Sequence, residues 1–579
     1  MKPSRMVLFS LLALAHLGCP RQDPFVPPDL FYHFATYTVG KNPTAVVTAD
    51  LNEDGMTDLI TTNISSNSLS VLFGNGDGTF KEPMQIDLSK DPRALTLDDF
   101  NGDGHLDMAV ACSGSDQVAI LYGLPQGQFG IGQRYAVHRT PVSIASGDLN
   151  GDRKPDLAVA LRNDKIAVLL GNGDGTFRNA SASIAGPPLQ WAVSATFFDY
   201  DRDGWLDLYV TQYVDVNVAK PPLCYAKSSA HDYCGPDAFA PLPDRLFHNN
   251  GDGTFADVSQ PSGIQSAKWA GLGVVASDLN NDGWVDLYVA NDGDPNFLWI
   301  NQKNGTFKDE ALWAGCAVNR MGMPEASMGV DAGDFDGDGD DDLVMTHLMD
   351  ETNTFYTNLG NGLFTDRTIQ IGLTTTTGRY TGFGGKWMDY DNDGWLDLLI
   401  VNGAVRTLPD AARQGDRYPL RQPKQLLRGH EGQRLVDVSA QAGPALTVPE
   451  VSRGAAFGDV DNDGDTDVLV LNSNGLARLF LNQVGTRHHW IGVRVVGAKG
   501  QRDMLGARVE VVREGKPSLW RRVQTDGSYA SASDARVLVG LGAEAAVKAV
   551  RVHWPDGQIE SWAEVAIDRY TMLRQGTGK

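Results

Sequence analysis

Acidic residues recur in this chain at a spacing that suits a divalent cation. The pattern Asp-x-Asn/Asp-x-Asp-Gly-x-x-Asp starts at eight positions, which define loops 1 to 8: Asp50, Asp99, Asp148, Asp199, Asp278, Asp334, Asp389 and Asp459. Positions 1, 3, 5 and 9 supply side-chain oxygens, and position 7 supplies a backbone carbonyl. Five hard oxygen ligands in a flexible geometry suit Ca²⁺ better than Mg²⁺, and the loops lack the His or Cys side-chain ligands that Zn²⁺ prefers.

Each loop therefore predicts five calcium ligands, and the chain is predicted to bind up to eight calcium ions. The first half of each loop is similar to an EF-hand, but position 12 is apolar or small and the flanks are strand-like, so no EF-hand is predicted. The predicted ligands are Asp50, Asn52, Asp54, Met56, Asp58, Asp99, Asn101, Asp103, His105, Asp107, Asp148, Asn150, Asp152, Lys154, Asp156, Asp199, Asp201, Asp203, Trp205, Asp207, Asp278, Asn280, Asp282, Trp284, Asp286, Asp334, Asp336, Asp338, Asp340, Asp342, Asp389, Asp391, Asp393, Trp395, Asp397, Asp459, Asp461, Asp463, Asp465 and Asp467.

The distribution of charge supports a cation at these loops. The 579 residues include 72 acidic and 49 basic ones, which leaves a net charge of −23. Of the acidic residues, 28 occupy positions 1, 3, 5 and 9 of the loops, and the other 44 are fewer than the basic residues. Carboxylates this close repel one another unless a cation lies between them. The negative excess also argues against a nucleic-acid binder and against a surface that docks on anionic lipid.

Loop 3 departs from the pattern. Arg153 replaces the glycine at position 6, and Lys154 follows it directly. Two cations beside the carboxylates compete with a metal ion, so the weakest or emptiest calcium site is predicted at the Asp148 loop.

The sequence around each loop predicts four short strands. In the first unit an apolar run at residues 45–47 precedes the loop, residues 59–61 follow it, a third run ends in the turn at residues 74–80, and residues 84–88 form a fourth. Short runs rich in Val, Ile, Leu and Tyr between Gly and Asn-Gly turns are typical of strands. Four such strands in a unit of roughly 50 residues are typical of a β-propeller blade.

The repeat predicts an all-β fold, a β-propeller of eight blades at residues 36–481. Seven blades are the alternative, if one unit is not a full blade. Only two strands are predicted after loop 8, so we expect residues 32–39 to form the missing fourth strand and close the ring. Alternating apolar runs and Gly turns predict a small all-β domain at residues 482–579.

The N-terminus predicts export. Lys2 and Arg5 precede an apolar run at residues 6–17 that is shorter than the roughly 20 residues needed to span a bilayer. Residues 1–18 therefore form a predicted signal peptide, followed by a linker at residues 19–35. Leu17-Gly18-Cys19 resembles a lipobox, with His16 as a departure, so Cys19 is predicted to carry a lipid; plain secretion is the alternative.

The other four cysteines fall into two kinds. Cys224 and Cys234 lie ten positions apart in a polar, Pro-rich insertion, and in an exported protein they are the favoured disulfide. Cys112 and Cys316 lie in apolar runs and are predicted to be buried free thiols.

Both the repeat units and the C-terminal region resemble a known protein family. The units resemble FG-GAP or VCBS repeats, and the later ones carry a further tag at residues 256–264, 308–315, 365–373 and 436–443. The C-terminal region resembles the ASPIC/UnbV domain at residues 489–491, 505–509, 527–529, 541–542 and 552–557. The chain looks like the family that includes cartilage acidic protein and the bacterial UnbV proteins. The resemblance implies a propeller with calcium loops, followed by this accessory domain.

No motif in the sequence predicts catalysis. G-x-S-x-G, HExxH and CxxC are all missing, and single histidines such as His248 and His347 are more often structural than catalytic. Trp205, Trp284 and Trp395 could form a stacking surface for a sugar or peptide, but packing against a neighbouring blade is favoured.

The favoured function is therefore an exported, calcium-binding propeller that acts as a binding or adhesion module of the bacterial cell envelope. Its partner would be a protein or a glycan and its contact with the membrane only the N-terminal lipid; it is predicted to be a monomer and not an enzyme. The alternative is a calcium-dependent carbohydrate-active enzyme, such as a hydrolase or lyase, with its site on the propeller face. That alternative depends on an analogy of fold.

Overall fold

A computed structural model describes residues 37–76, 79–137, 140–147, 149–150, 152, 154–161, 165–180, 189–217, 220, 222–225, 231–232, 234–252, 254–416, 419–473, 475–498 and 502–579. The predicted signal peptide, Cys19 and most of the linker lie outside these residues. The fold is almost entirely β-structure. Within the described residues, none of the helices is long and apolar enough to span a membrane.

In the part of the chain that the structure describes, eight antiparallel sheets follow one another and form eight blades. The first four contain β1–β4 (Pro43–Ala49, Asp58–Asn63, Ser68–Leu72, Met84–Asp87), β5–β8 (Pro92–Asp98, Asp107–Cys112, Gln117–Leu124, Gln128–Ala136), β9–β12 (Pro141–Gly147, Asp156–Leu161, Lys165–Gly171, Phe177–Asn179) and β13, β14, β19 and β20 (Ala192–Phe198, Asp207–Gln212, Arg245–Asn249, Phe255–Asp257). The insertion in blade 4 contains β15–β18 (Val214–Asp215, Cys224–Tyr225, His231–Asp232, Ala240–Pro241).

The other four blades follow the same order. They contain β21–β24 (Gly271–Ser277, Asp286–Asn291, Phe297–Asn301, Phe307–Asp309), β25–β28 (Val330–Gly333, Asp342–Met345, Thr354–Asn358, Phe364–Asp366), β29–β32 (Gly382–Met388, Asp397–Asn402, Gln425–His430, Arg434–Asp437) and β33–β35 (Ser452–Gly458, Asp467–Asn472, Arg478–Phe480). Short helices α1–α4 (Ala311–Ala314, Leu373–Thr376, Pro409–Arg413, Pro444–Thr447) connect some of these strands.

The hydrophobic core lies between adjacent blades. Phe100 and Ile120 of blade 2, for example, pack in one cluster with Leu157 and Phe177 of blade 3. The second strand of a blade is covered on both faces, and all six residues of β6, β14, β22 and β30 are buried. Apolar runs in these strands, instead of strict alternation, are therefore what the fold requires.

Tyr37 contacts blade 1 in the way that the fourth strand of one blade contacts the next. The Phe80 N–H donates to the Tyr37 hydroxyl at 2.9 Å, and the Phe177 N–H donates in the same way to Tyr135 at 2.9 Å. Because Tyr135 lies in the fourth strand of the blade before Phe177, Tyr37 takes the matching place before blade 1. In the described residues blade 8 has three strands, and residues 37–39 form no strand. The predicted closing strand at residues 32–39 thus falls mainly outside the described residues.

The C-terminal domain is a small all-β domain, as predicted. Its seven strands form one sheet of three and one sheet of four, and β36 pairs in parallel with β42. Ile491, Val509, Val539 and Trp554 lie in its core. The strands are β36–β42 (His489–Val496, Arg508–Val512, Leu519–Arg522, Val537–Gly542, Ala549–His553, Ile559–Trp562, Tyr570–Arg574).

A segment of this domain enters the central channel of the propeller. We call residues 524–534, between β38 and β39, the plug. Asp526 accepts the Ala276 N–H at 2.8 Å with its carboxylate and the Lys386 ammonium at 2.8 Å with its backbone carbonyl. The Ser528 carbonyl accepts the Val330 N–H at 3.1 Å. The plug therefore pairs with the innermost strands of blades 5, 6 and 7.

Candidate metal centres

The carboxylate at position 9 of each loop ties two strands together. In loop 4, Asp207 accepts the Tyr200 N–H at 3.2 Å and the Asn249 N–H at 2.8 Å. The same two bonds, one from position 2 of the loop and one from the end of the third strand, recur in all eight loops. The sequence pattern predicts position 9 only as a metal ligand, and this structural role is a finding from the fold.

Positions 1 and 5 shape the turn. In loop 8 the Gly464 N–H donates to Asp459 at 2.9 Å, and in loop 4 the Trp205 N–H donates to Asp203 at 2.8 Å. Gly464 has a φ of 94°, which a residue with a β-carbon rarely adopts. The glycine at position 6 thus lets the backbone curl around the carboxylates.

Four loops bring three carboxylates together. In loops 4, 6, 7 and 8, oxygens from three aspartates lie within 4.8 Å of one another. All four loops have Asp at position 3; among the described residues, no loop with Asn there forms such a group. In loop 5 the Asn280 amide instead donates to Asp282 at 3.0 Å. The converging groups are Asp199, Asp201 and Asp203; Asp334, Asp336 and Asp338; Asp389, Asp391 and Asp397; and Asp459, Asp461 and Asp467.

Unpartnered oxygens show that these residues fit a cation. One buried carboxylate oxygen (Oδ1) of Asp199, Asp336, Asp389 and Asp461 has no hydrogen-bond partner. A buried carboxylate left without a partner is costly, and a bound cation would remove that cost. The donors are all oxygens, which matches the preference of Ca²⁺.

Burial raises the pKa of the carboxyls that lie deepest in the loops. It raises the pKa of Asp207 to about 8 and that of Asp334 to about 7, and the other carboxylates of each loop contribute in the same direction. Without metal, these groups therefore hold protons that the unfolded chain would release.

This shift predicts how the metal-free protein responds to pH. A folded-state pKa above the unfolded value contributes stability below the unfolded pKa, and that stability is lost as pH rises through the folded pKa. We therefore expect metal-free protein to lose stability between pH 5 and pH 8, on the order of 1 kcal/mol per pH unit for each such buried group. Urea unfolding of chelated protein at several pH values measures this. Equal or higher stability at pH 8 would contradict the prediction, and saturating calcium should abolish the loss.

Loop 8 contains a fifth carboxylate. Asp465, at position 7, is fully buried, and burial together with the neighbouring Asp463 raises its pKa to about 10. Both of its side-chain oxygens lack a hydrogen-bond partner. The sequence predicts only the backbone carbonyl of position 7 as a calcium ligand. The structure adds the Asp465 side chain as a further candidate ligand of loop 8.

Basic side chains lie beside several loops. In loop 7 the Arg428 guanidinium is 2.9 Å from an Asp391 oxygen, and in loop 4 a His248 nitrogen is 3.3 Å from Asp201. In loop 3 the Lys154 ammonium is 3.9 Å from Asp152. Asp148 and Arg153 lie outside the described residues, so the weak metal site of loop 3 stays a prediction.

The C-terminal domain covers the face of the propeller that carries the loops, which we call the loop face. Arg502 donates to the Gly204 carbonyl of loop 4 at 2.9 Å, and Arg521 donates to the Gly394 carbonyl of loop 7 at 3.2 Å. In loop 8, Asp459 receives the Tyr570 hydroxyl at 2.9 Å on its carboxylate. This cover explains why Asp389, Asp391 and Asp459 of loops 7 and 8 are buried.

Two of the three loop tryptophans, Trp284 and Trp395, pack against neighbouring loops as favoured, and Trp205 packs against Gly251 in a turn of its own blade. Trp284 lies under the Arg202 guanidinium of loop 4 at 4.2 Å, and Trp395 contacts Gly337 of loop 6. All three rings are half-buried, so they do not form an open stacking surface.

The cysteines pair in the favoured way. Cys224 and Cys234 form a disulfide, with Cα atoms 5.2 Å apart, and the bond closes part of the insertion in blade 4. Cys112 and Cys316 are buried free thiols.

Comparison with known proteins identifies relatives that align with only part of this chain and with only part of their own length. The chain is 26% identical to cartilage acidic protein 1 of Mus musculus over 341 residues, which cover 58% of this chain and 50% of that protein. It is 29% identical to cartilage acidic protein 1 of Xenopus tropicalis over 191 residues, covering 30% and 27%. The chain thus spans half or less of the length of these relatives.

Solved structures share only a loose similarity. YCF48 bound to D1 peptide has a TM-score of 0.39 at 6% identity, covering 80% of this chain and all of that chain. A structure of an Agrocybe aegerita lectin, on recognition of non-reducing terminal N-acetylglucosamine, has a TM-score of 0.33 at 18% identity, covering 56% and 79%. Nothing about binding follows from scores this low.

The family profiles cover most of the chain. The FG-GAP-like repeat matches residues 50–110, 99–159, 148–210, 238–289, 278–345 and 334–400. Five of these matches begin at the first aspartate of an acidic loop, and the match at 238–289 begins shortly before β19 of blade 4. The ASPIC and UnbV profile matches residues 497–579. The chain therefore belongs to the family of FG-GAP-like repeat propellers that carry a C-terminal ASPIC and UnbV domain.

Proposed function

We propose that this protein is an exported, calcium-binding propeller that acts as a binding module at the bacterial cell envelope, for a protein or glycan partner. The repeats and the C-terminal domain support a propeller binding module in general. Beyond this general role, we propose calcium binding, export and a location at the cell envelope.

The observation that carries the calcium proposal is the convergence of buried, unpartnered carboxylates. It occurs in loops 4, 6, 7 and 8, and each of these has Asp at position 3. We therefore expect four tight calcium sites. The loops with Asn at position 3 would bind more weakly, which gives up to eight ions at high calcium concentration.

A reciprocal pair of variants tests this ranking. Loops 4 and 5 have the same residue types at positions 1, 5, 7 and 9, including the tryptophan at position 7. They differ at position 3, which is Asp201 in loop 4 and Asn280 in loop 5. We expect Asp201→Asn to reduce the tight sites from four to three, and Asn280→Asp to increase them to five. The altered site should change its Kd roughly tenfold, about 1.4 kcal/mol. Isothermal titration calorimetry together with metal counting measures the number of tight sites and the Kd of the altered site.

The two variants control each other, because one replaces a carboxylate with an amide and the other makes the reverse exchange at the same loop position. No bound calcium in the unaltered protein would refute the metal proposal. Equal numbers of tight sites in all three proteins would refute the ranking by position 3.

Export has its own test, since residues 1–36 lie outside the described part of the chain. We expect metabolic labelling with palmitate to mark the wild-type protein in a bacterial host and not Cys19→Ser. Release of an unlabelled wild-type protein into the medium would support plain secretion instead. A glycan and protein-binding screen, read for both saturable binding and turnover, separates a binding module from the carbohydrate-active alternative.

A further inference from the structure

A cavity of about 300 Å³ lies at the mouth of the central channel opposite the loop face. Five consecutive blades line it, through Val193, Leu272, Met328, Phe383 and Arg453. Each of these residues lies at or just before the start of the first strand of its blade, whereas the acidic loops follow the other ends of the same strands. We call this cavity the mouth pocket.

The plug forms the base of the mouth pocket. Its Tyr529 ring lies 5.0 Å from the Phe383 ring in an edge-to-face arrangement, and both residues line the pocket. The C-terminal domain therefore closes the pocket on the side of the loop face. At the rim, Trp191 is 50% exposed, and Cys234 is held by its disulfide to Cys224.

The walls are mainly apolar. Leu272, Met328 and Phe383 are buried, and Leu348 and Val405 pack against them. A polyhydroxylated sugar would need a polar partner for most of its hydroxyls, which these walls do not offer. The surface suits a ligand with an apolar or aromatic body.

Two guanidinium groups give the pocket a positive charge. Arg453 donates to the carbonyls of Gly403 and Ser452, both at 2.8 Å, and lies 4.0 Å above the Phe383 ring. Burial lowers the pKa of Arg453 to about 10. Among the described residues, no carboxylate forms an ion pair with Arg453 or with Arg406 at the rim.

The one acidic side chain among the described lining residues already has a partner. The Asp292 carboxylate accepts the Tyr213 hydroxyl at 2.5 Å. The two arginines therefore outnumber the acid, and a bound anion would balance the charge. Arginine binds carboxylates through two parallel hydrogen bonds, which adds specificity.

We propose that the mouth pocket binds a small organic carboxylate with an aromatic or branched apolar body, its carboxylate held by Arg453 and Arg406 and its body held by the apolar walls. This inference rests on the proposed role as a binding module and names the class of ligand that the module takes.

The test uses two acids and a neutral control with the calcium-loaded chain. The probes are N-acetyl-L-phenylalanine, 4-phenylbutanoate and the neutral N-acetyl-L-phenylalaninamide. Their binding is followed by titration calorimetry and by the intrinsic tryptophan fluorescence of the protein. We expect at least one acid to bind, and the amide to bind at least tenfold more weakly than N-acetyl-L-phenylalanine.

Variants locate the binding. We expect Arg453→Gln and Arg406→Gln each to weaken binding of the acid at least fivefold. Arg406 is exposed, so its variant keeps the test valid if Arg453→Gln fails to fold. Arg413→Gln is the matched control, because Arg413 lies in the same blade, is exposed and pairs with its own Asp410 at 3.1 Å; it should leave binding unchanged.

Three results would overturn the inference: neither acid binds, the amide binds as well as its acid, or the Arg406 and Arg453 variants bind normally. The calcium-dependent melting temperature, recorded on the same samples, separates the two proposals. A calcium-stabilised protein that binds no acid would keep the proposed function and lose the mouth pocket. Acid binding without any calcium effect would keep the pocket and refute the calcium proposal.

Discussion

We expect removal of calcium to lower the melting temperature of the chain lacking residues 1–19 by about 10 °C or more. A ligand that binds only the folded state stabilises it by about 2.7 kcal/mol at a concentration of 100 Kd, so four tight sites together contribute on the order of 10 kcal/mol. The structure adds a second reason. Without a cation, buried carboxylates such as Asp389 and Asp461 keep an unpartnered oxygen, which is costly.

Thermal unfolding with and without EDTA, followed by titration of Ca²⁺, measures this effect. Magnesium is the control ion, because its strict octahedral geometry and its retained waters fit these loops poorly. We expect Mg²⁺ at the same concentration to restore less than half of the loss. A melting temperature that does not respond to EDTA would contradict the prediction.

We expect Arg522→Met to destabilise the contact between the C-terminal domain and the propeller by about 3–5 kcal/mol, the usual cost of removing one partner from a buried ion pair. The Arg522 side chain is 2% exposed. Its guanidinium lies 3.5 Å from Asp341 and 3.6 Å from Asp526, and it also donates to the Ala276 carbonyl. Without it, these carboxylates remain buried with little compensating charge.

Because Arg522 precedes the plug, we expect the C-terminal domain to separate from the propeller before the propeller unfolds. Limited proteolysis at residues 481–488, together with denaturant unfolding, detects that order. Lys548→Met in the same domain is the control, since the Lys548 side chain is 62% exposed and lies 3.9 Å from Glu514, which is 86% exposed. Such a pair contributes about 1 kcal/mol or less. Equal effects of the two variants would contradict the prediction.

Several features of the fold could be predicted from local spacing alone. The loops, the strands that flank them and the turn glycines are encoded within units of roughly 50 residues, and a glycine such as Gly464 is required by its own backbone conformation. The small C-terminal β domain and the buried state of Cys112 likewise follow from apolar runs that are contiguous in sequence.

The candidate site was predictable only in part. Eight similar loops predict eight similar sites, but the structure separates them by position 3 and by burial. Asp465 is a variable residue at position 7 of the pattern, and it is completely buried. Gly485 packs against it, and Asn392 donates to the carbonyls of Gly464 and Gly485 beside it. Neither neighbour is close to loop 8 in the pattern that the repeat defines.

The repeat of acidic loops on short strands follows from the amino-acid sequence, because the interactions that form it lie within one unit. The end of the channel that is open to a ligand follows only from contacts between distant parts of the chain. The C-terminal domain covers the loop face through Arg502, Arg521 and Tyr570, and its plug crosses the channel to Tyr529. These contacts join residues more than 100 positions apart, so local periodicity carries no information about them, and burial and charge balance across the assembled ring decide where they form.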